Sequence, residues 1–213
     1  MKNFPSNIAM AAAALLTAGL LVSCAEQAVA FDTPAPEVGK AAPAFSVADT
    51  NGQTHSLEQY RGKWVVLEWL NHGCPFVRNH YDTGTMQALQ KKYAAEGVVW
   101  LSIVSSAPGK QGHYSNERAN ELTREKDAAP HAVLIDETGT IGRAYQARTT
   151  PHMFVIDPDG EIVYMGGIDD TATTNADRLK TAQPLVDIAL GEAMAGKPVT
   201  VASSQPYGCN VKY

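Results

Sequence analysis

The thiol of Cys74 is the group in this 213-residue chain best placed to do chemistry. It follows an apolar run at residues 64–70 and precedes Pro75 and a helical pattern. A thiol at a strand-to-helix junction has a lowered pKa, because the first free amides and the helix dipole favour the thiolate. A dithiol motif would carry its second cysteine three residues later, where this chain has Val77. The chemistry therefore depends on what Cys74 attacks and on which group resolves the product.

Cys209, close to the end of the chain, is the candidate partner for Cys74. In one interpretation it is a resolving cysteine on a C-terminal arm that reaches Cys74. In a second, the same two residues form a permanent structural disulfide, and in a third Cys209 is free. A disulfide that closes a loop of more than a hundred residues stabilises a fold by roughly 4 to 5 kcal/mol in the chain-entropy model. The sequence leaves all three interpretations open.

Two charged residues near Cys74 are further candidates. Glu68 is the charged residue within the apolar run at 64–70, and burial without a cation would raise its pKa. It could then exchange a proton with a sulfur; alternatively it faces the rim of the sheet or pairs with a Lys or Arg. Arg78 lies one helical turn after Cys74 and either stabilises the thiolate or is a solvated helix residue.

A metal site is the main alternative use of these residues. His72 and His80 flank Cys74, and together the three could hold copper. Soft metals are usually held by a closed set of three or four ligands, so a further ligand would have to come from Cys209 or Met153. We therefore predict neither a metal site nor a cofactor.

The order of apolar and turn-forming segments predicts the elements that position these residues. In chain order they are a hairpin at 45–57, a strand at 64–70, a helical region from 75 to 96, a strand at 98–104, a helix at 116–126, a strand at 132–135, a short helix at 142–147, a hairpin at 149–156 and 161–165, and a helix at 184–195. Strands that alternate with helices and end in a hairpin predict an α/β sandwich around a mixed sheet. An N-terminal β-hairpin and a C-terminal helix with a tail extend it.

The N-terminus reads as a signal peptide over residues 1–30, because its apolar stretch at 8–22 is too short to span a membrane. Cleavage before Cys24 would give a lipoprotein, and cleavage after the A-x-A site at 28–30 would give a soluble chain. We expect an exported protein of the periplasm or cell envelope, attached to the membrane only if Cys24 is lipidated.

The rest of the chain divides into a tether at 31–43, one domain at 44–170 and a C-terminal helix and tail at 171–213 packed on the same domain. About 180 residues are enough for one domain with a good core. The formal net charge is −5, and the sequence has no basic cluster. This mild acidity argues against a nucleic-acid partner.

Residues 64–78, taken together with Thr150 and Pro151, resemble the thioredoxin-like superfamily, in its redoxin and peroxiredoxin-like (AhpC/TSA-related) branch with a single active-site cysteine. The resemblance covers roughly residues 38–170 and implies a thioredoxin-like α/β/α sandwich. It implies that Cys74 is the nucleophile, that Glu68 is the buried acid, and that Pro151 is the cis-proline that lines the substrate groove.

We expect residues next to Cys74 and Pro151 to contact the substrate. These are Pro75, Phe76, Arg78 and Thr150. The tail at 208–213 resembles a feature of the peroxiredoxin-like subgroup. The chain departs from the peroxidatic motif of that family, which would require Thr at 71 and Pro at 67, since it has Asn71 and Leu67.

The sequence therefore predicts an exported oxidoreductase that acts on disulfides or peroxides, with protein or small-molecule thiols and disulfides as partners. Cys74 would be its nucleophile, and Cys209 would be the possible resolving residue. The alternatives are a copper-handling accessory protein and a non-catalytic envelope protein with a structural disulfide between Cys74 and Cys209.

Overall fold

The structure is a computed structural model that describes Met1 and residues 35–213. The predicted signal peptide and both of its cleavage sites lie outside this range. Part of the predicted tether lies within it and contacts the domain: the amide of Gly39 donates to the carbonyl oxygen of Ile162 at 2.8 Å, and that of Ala42 to Gly160 at 2.9 Å. Among the described residues, no helix is long and apolar enough to cross a bilayer.

The elements follow the predicted order. The strands are β1 (Ser46–Ala48), β2 (Thr54–Ser56), β3 (Val65–Trp69), β4 (Val99–Val104), β5 (Ala132–Ile135), β6 (Thr149–Thr150), β7 (His152–Ile156), β8 (Ile162–Gly166) and β9 (Cys209–Asn210). The helices are α1 (Pro75–Asp82), α2 (Thr85–Ala95), α3 (Asn116–Glu125), α4 (Thr140–Ala144), α5 (Ala176–Leu179) and α6 (Leu185–Met194).

A mixed sheet of five strands in the order β5-β4-β3-β7-β8 forms the centre of the domain. Strand β3 pairs in parallel with β4, which pairs in parallel with β5, whereas β7 and β8 are antiparallel to their neighbours. All five residues of β3 are buried, which explains its nearly continuous apolar sequence. The predicted mixed sheet is confirmed.

The side chains of β3 alternate between two hydrophobic clusters, one on each face of the sheet. Val66 packs in a cluster with Cys74 and with residues of α1, α2 and α6. Leu67 and Trp69 pack in the other cluster, with residues of the β1–β2 hairpin and α4. Helices therefore cover both faces of the sheet, and the predicted α/β/α sandwich is confirmed.

The structure differs from the predicted elements in several places. Helix α5 and a turn of 3-10 helix at Glu58–Tyr60 have no predicted counterpart. The single predicted helical region after Cys74 is two helices, because Gly84 adopts a φ of 76° between α1 and α2. The short helix predicted at 142–147 begins at Thr140 and ends at Ala144. The tail, for which the sequence predicts no particular element, contains β9, which pairs with β6.

Candidate active site

Cys74 is the N-cap residue of α1, at the point where the chain leaves β3. Its amide donates to the carbonyl oxygen of Asn71 at 2.9 Å, which closes a tight turn between strand and helix. Pro75 occupies the first turn of α1, where its missing N–H costs nothing. The Cys74 side chain is completely buried, with 0% exposure. The thiol thus lies at the predicted strand-to-helix junction, and it is sealed from solvent.

Two segments distant in sequence surround the Cys74 sulfur. Its thiol donates to the carbonyl oxygen of Thr150 at 3.1 Å, and the amide of Cys209 donates to Sγ at 3.4 Å. Burial alone would raise the pKa of Cys74. Hydrogen bonds from the Cys209 thiol and from the Val77 and Cys209 amides outweigh burial, so the pKa of Cys74 is lowered.

Cys209 reaches Cys74 through backbone pairing. Strand β9 runs antiparallel to β6, with Cys209 opposite Thr150 and Asn210 opposite Thr149. We name residues 207–213 the C-terminal arm. The pairing brings together two cysteines that are 135 positions apart in the chain.

The two thiols have opposite acidity. Burial and the neighbouring Cys74 raise the pKa of Cys209 to about 11, although the charges of Lys212 and Arg78 act in the other direction. Since the thiolate is the reactive form, this difference in acidity favours Cys74 over Cys209 as the nucleophile of the pair. Cys209 is partly exposed.

The carboxylate of Glu68 is completely buried on β3 and is surrounded by neutral donors. Burial raises its pKa, and hydrogen bonds from neighbouring side chains lower it only in part. The donors are Trp100 Nε1 at 2.8 Å, Tyr81 Oη at 2.8 Å, Ser102 Oγ at 3.0 Å and Gln90 Nε2 at 3.1 Å. Each of these partners comes from α1, α2 or β4. The carboxylate's hydrogen bonds among the described residues do not run directly to Cys74.

The peptide bond between Thr150 and Pro151 is cis, as the resemblance implied for Pro151. It places the Thr150 carbonyl against Cys74. The other predicted substrate contacts lie on α1. Pro75 and Arg78 are exposed, and Phe76 packs edge-to-face on Tyr207 with ring centroids 5.8 Å apart.

The two histidines proposed as copper ligands are directed elsewhere. His72 packs edge-on against Tyr81 with centroids 5.0 Å apart, and burial lowers its pKa to about 4. The Nε2 of His80 lies 3.0 Å from the hydroxyl of Tyr207, which in turn donates to Asp169. Within the part of the chain that the structure describes, no three His, Cys, Asp or Glu side chains form a group that could hold a metal ion.

Asn71 occupies the position of the hydroxyl residue in the peroxidatic motif, and it organises the turn instead. Its Oδ1 accepts from the amide of Gly73 at 2.8 Å, and its Nδ2 donates to the carbonyl oxygen of Gln111 at 3.2 Å. The side chain thus joins the Cys74 turn to the loop after β4.

A model of the AhpC/TSA family matches residues 38–165. The chain belongs to this family. The matched range includes α1 and the cis bond before Pro151, which lie around Cys74, and it ends before the C-terminal arm. Sequence reasoning identified both cysteines and the proline but missed Tyr207, whose position two residues before Cys209 was the available signal.

The curated relatives of this AhpC/TSA-family chain include proteins named thiol-disulfide oxidoreductases and one named a thioredoxin-like protein. The thiol-disulfide oxidoreductase ResA of Geobacillus kaustophilus (strain HTA426) is 30% identical over 126 residues, which are 59% of this chain and 66% of that protein. The thioredoxin-like protein YneN of Bacillus subtilis (strain 168) is 28% identical over 125 residues, which are 58% of this chain and 68% of that protein. The first match thus spans slightly less than two thirds of the relative.

Two crystal structures share the fold over most of their length. An uncharacterized conserved protein from Geobacillus kaustophilus superposes with a TM-score of 0.71 at 26% identity, covering 83% of this chain and 92% of that one. A hypothetical protein from Sinorhizobium meliloti 1021 gives a TM-score of 0.67 at 23% identity, covering 83% and 94%.

Proposed function

We propose that this protein is an exported thiol-disulfide oxidoreductase in which Cys74 and Cys209 form the redox couple. The observation that carries the proposal is the approach of Cys209 to Cys74: β9 pairs with β6, and the Cys209 amide donates to Sγ of Cys74 at 3.4 Å. The lowered pKa of Cys74 and the pKa of about 11 for Cys209 agree with it. Membership of the AhpC/TSA family and similarity to proteins named thiol-disulfide oxidoreductases support it. The second cysteine of an ordinary dithiol motif is thereby replaced from the C-terminal arm.

The reaction follows from the acidity of the two thiols. The Cys74 thiolate attacks one sulfur of a substrate disulfide, forms a mixed disulfide and releases the other sulfur as a thiolate. The released thiolate takes the proton of Cys209, whose sulfur then attacks Sγ of Cys74 and releases the second substrate sulfur as a thiolate. This thiolate takes a proton from solvent, which replaces the proton that Cys74 lost on ionisation. The substrate gains two electrons and two protons, and the protein gains a disulfide between Cys74 and Cys209. An external thiol returns the couple to the reduced state.

Other predicted residues would act around this couple. Thr150 and Pro151 would position the sulfur undergoing exchange, since the Thr150 carbonyl is already in contact with Cys74. Glu68 would hold or release a proton within the buried network of β3, α1 and α2. It would influence Cys74 through its field and not by direct contact.

A hydroperoxide is an alternative oxidant for the same couple. The Cys74 thiolate would attack the terminal oxygen of the hydroperoxide, break the O–O bond and become a sulfenic acid, with release of an alcohol or water. The Cys209 thiol would then attack the sulfenic sulfur and form the same disulfide with loss of water. The AhpC/TSA family match supports this route, whereas Asn71 in place of the motif's hydroxyl residue argues against it.

The apolar stretch at residues 8–22 supports export, which would place the couple in an oxidising compartment. The mass of the N-terminal peptide of the protein purified from an envelope fraction would test it. A lipid-modified Cys24 or an N-terminus near Phe31 supports export, and an intact Met1 contradicts it.

Exchange kinetics of three forms of the protein test the proposed couple. Reduced wild type, Cys74→Ser and Cys209→Ser are mixed with a small disulfide, and the thiol released is followed. Wild type releases two thiols per protein, Cys209→Ser releases one and retains a mixed disulfide on Cys74, and Cys74→Ser reacts slowly or not at all. Equal rates for Cys74→Ser and wild type would refute the assignment.

A further inference from the structure

The C-terminal arm fills a strand edge beside the active site. The backbone of Thr149 and Thr150 is paired with Cys209 and Asn210, and the amide of Val211 donates to the carbonyl oxygen of Arg148 at 3.0 Å. Extended polypeptides commonly bind proteins by adding a strand to such an edge. Here the protein's own chain already occupies it.

Gly208 fixes how closely the arm approaches this edge. A Cβ atom at position 208 would lie 2.0 Å from the carbonyl oxygen of Thr150, well inside van der Waals contact. The φ of Gly208 is 125°, a conformation that other residues rarely adopt. The arm and the cis-proline segment are therefore in direct backbone contact, with no space for a second chain between them.

Tyrosines hold the arm at both ends. At its start, Tyr207 donates to Asp169 and packs on Phe76. At its end, the hydroxyl of Tyr213 donates to the carbonyl oxygen of Ala147 at 2.8 Å. The guanidinium of Arg143 lies 4.4 Å from the centre of the Tyr213 ring.

The Tyr213 ring packs against two glycines, one at the N-cap of α4 and one within it, that leave space for the ring. A Cβ at Gly139 would lie 2.4 Å from the ring, and one at Gly142 would lie 2.5 Å from its hydroxyl oxygen. The amide of Ala107 also donates to the carbonyl oxygen of Lys212 at 2.8 Å. The arm is thus held along its length and crosses directly over Cys74.

We propose that the C-terminal arm makes the site selective for low-molecular-weight disulfides by occupying the edge on which an extended polypeptide would pair. This inference rests on the proposed function and names its substrate class. A small disulfide needs only a local opening at Cys209, the partly exposed cysteine. A polypeptide disulfide must displace β9 from β6, together with one or both tyrosine anchors.

The charges beside the opening indicate which small disulfides fit. Arg78 is exposed and lies one turn of α1 after Cys74, to whose carbonyl oxygen its amide donates at 2.9 Å, and Lys212 follows Cys209 by three residues on the arm. Disulfides that carry carboxylates match this pair of cations. Glutathione disulfide has this chemistry and serves as the small probe.

Single-turnover oxidation of the reduced protein tests the selectivity. Glutathione disulfide and the interchain disulfides of insulin are compared as oxidants, and the ratio of their rate constants is measured. Wild type is expected to react faster with glutathione disulfide by about a hundredfold or more, the size of discrimination that steric exclusion can give. Gly208→Val and Tyr213→Ala, which keep both cysteines, are expected to shift the ratio toward insulin by about tenfold or more.

Asn210→Ala is the matched control, since the Asn210 side chain is exposed and the residue pairs through its backbone. It is expected to keep the wild-type ratio. A second measurement leaves the arm residues at 208 and 213 unchanged. In Cys209→Ser, the rate of Cys74 alkylation is measured with iodoacetamide and with a polymer-linked maleimide, and each rate is divided by the rate with the same reagent in the unfolded protein. The relative rate for iodoacetamide should be much higher than that for the polymer-linked reagent. Equal relative rates would overturn the inference even if an arm variant failed to fold.

The outcomes separate this inference from the proposed function. Wild type that reacts with glutathione disulfide and insulin at similar rates retains the redox couple but overturns the selectivity. An unchanged ratio in both arm variants has the same meaning. Wild type that reacts with neither oxidant overturns both proposals.

Discussion

The contact between Cys74 and Cys209 predicts a pH-dependent difference in stability between the oxidised and reduced protein. A disulfide between residues 135 positions apart removes conformational entropy from the unfolded chain, worth about 5 kcal/mol in the chain-entropy model. If the bond were only a structural staple, this difference in the free energy of unfolding would not depend on pH. A tuned redox couple behaves differently, because the reduced fold also stabilises a thiolate.

The sign follows from the lowered pKa of Cys74, whose ordinary value is 9.0. A depressed pKa stabilises the reduced fold above the unfolded value, and this contribution is lost as the pH falls through the folded value. The reduced protein therefore gains stability as the pH rises toward 9.0, by up to about 1.4 kcal/mol per pH unit. The difference should be close to 5 kcal/mol in acid, within the chain-entropy estimate, and should narrow toward pH 8.5.

Urea unfolding of the oxidised and reduced forms at several pH values between 5 and 8.5 is the assay. The contribution of Cys209 is constant over this range, since its raised pKa of about 11 affects stability only above its ordinary value of 9.0. Other groups titrate alike in both forms and cancel. Cys209→Ser, which cannot form the bond, should show no effect of oxidant. A difference that does not change with pH would refute the lowered pKa, and no difference at any pH would refute the disulfide.

Three further predictions concern residues around the couple. Burial raises the pKa of Glu68, so the protonated carboxyl contributes fully to stability below pH 4.5, and this contribution is lost as the pH rises through the folded pKa. The free energy of unfolding of Glu68→Gln, measured in urea, should therefore increase relative to that of wild type between pH 4.5 and 7.5. Parallel pH profiles of the two proteins would contradict this. Tyr207→Phe removes the hydroxyl that lies between His80 and Asp169, and it should lower the free energy of unfolding by about 1 to 3 kcal/mol. A loss below about 0.5 kcal/mol would show that the hydrogen bonds of Tyr207 to His80 and Asp169 do not hold the arm. Ser115→Ala removes the side-chain acceptor at the N-cap of α3 and should cost about 1 kcal/mol in the same assay without changing exchange rates, so a changed rate would reveal coupling between α3 and the site.

The central strands and the Cys74 junction were predictable because each leaves a local signal in the sequence. Strand β3 is buried on both faces, so its residues are nearly all apolar, and the single acid among them is visible as an exception. The start of α1 at Pro75, directly after Cys74, likewise follows from adjacent residues. These features depend on neighbours along the chain.

The pairing of β6 with β9 was not predictable in the same way. Each strand has two residues, and the pairing depends on backbone hydrogen bonds between segments that no side-chain pattern connects. The four donors to Glu68 come from three elements, α1, α2 and β4, so the isolated charge could be identified but its partners could not. The break between α1 and α2 at Gly84 did have a signal, since a glycine within a helical pattern commonly marks an end.

Peptide mapping of the oxidised protein tests the central claim most directly. The reduced protein is treated with one equivalent of glutathione disulfide, quenched in acid, digested without reductant and analysed by mass spectrometry. The proposed couple predicts the loss of two hydrogens and one linked pair of peptides, one containing Cys74 and the other Cys209. A stable glutathione adduct on Cys74 with Cys209 still a free thiol, or no reaction at either residue, would contradict it.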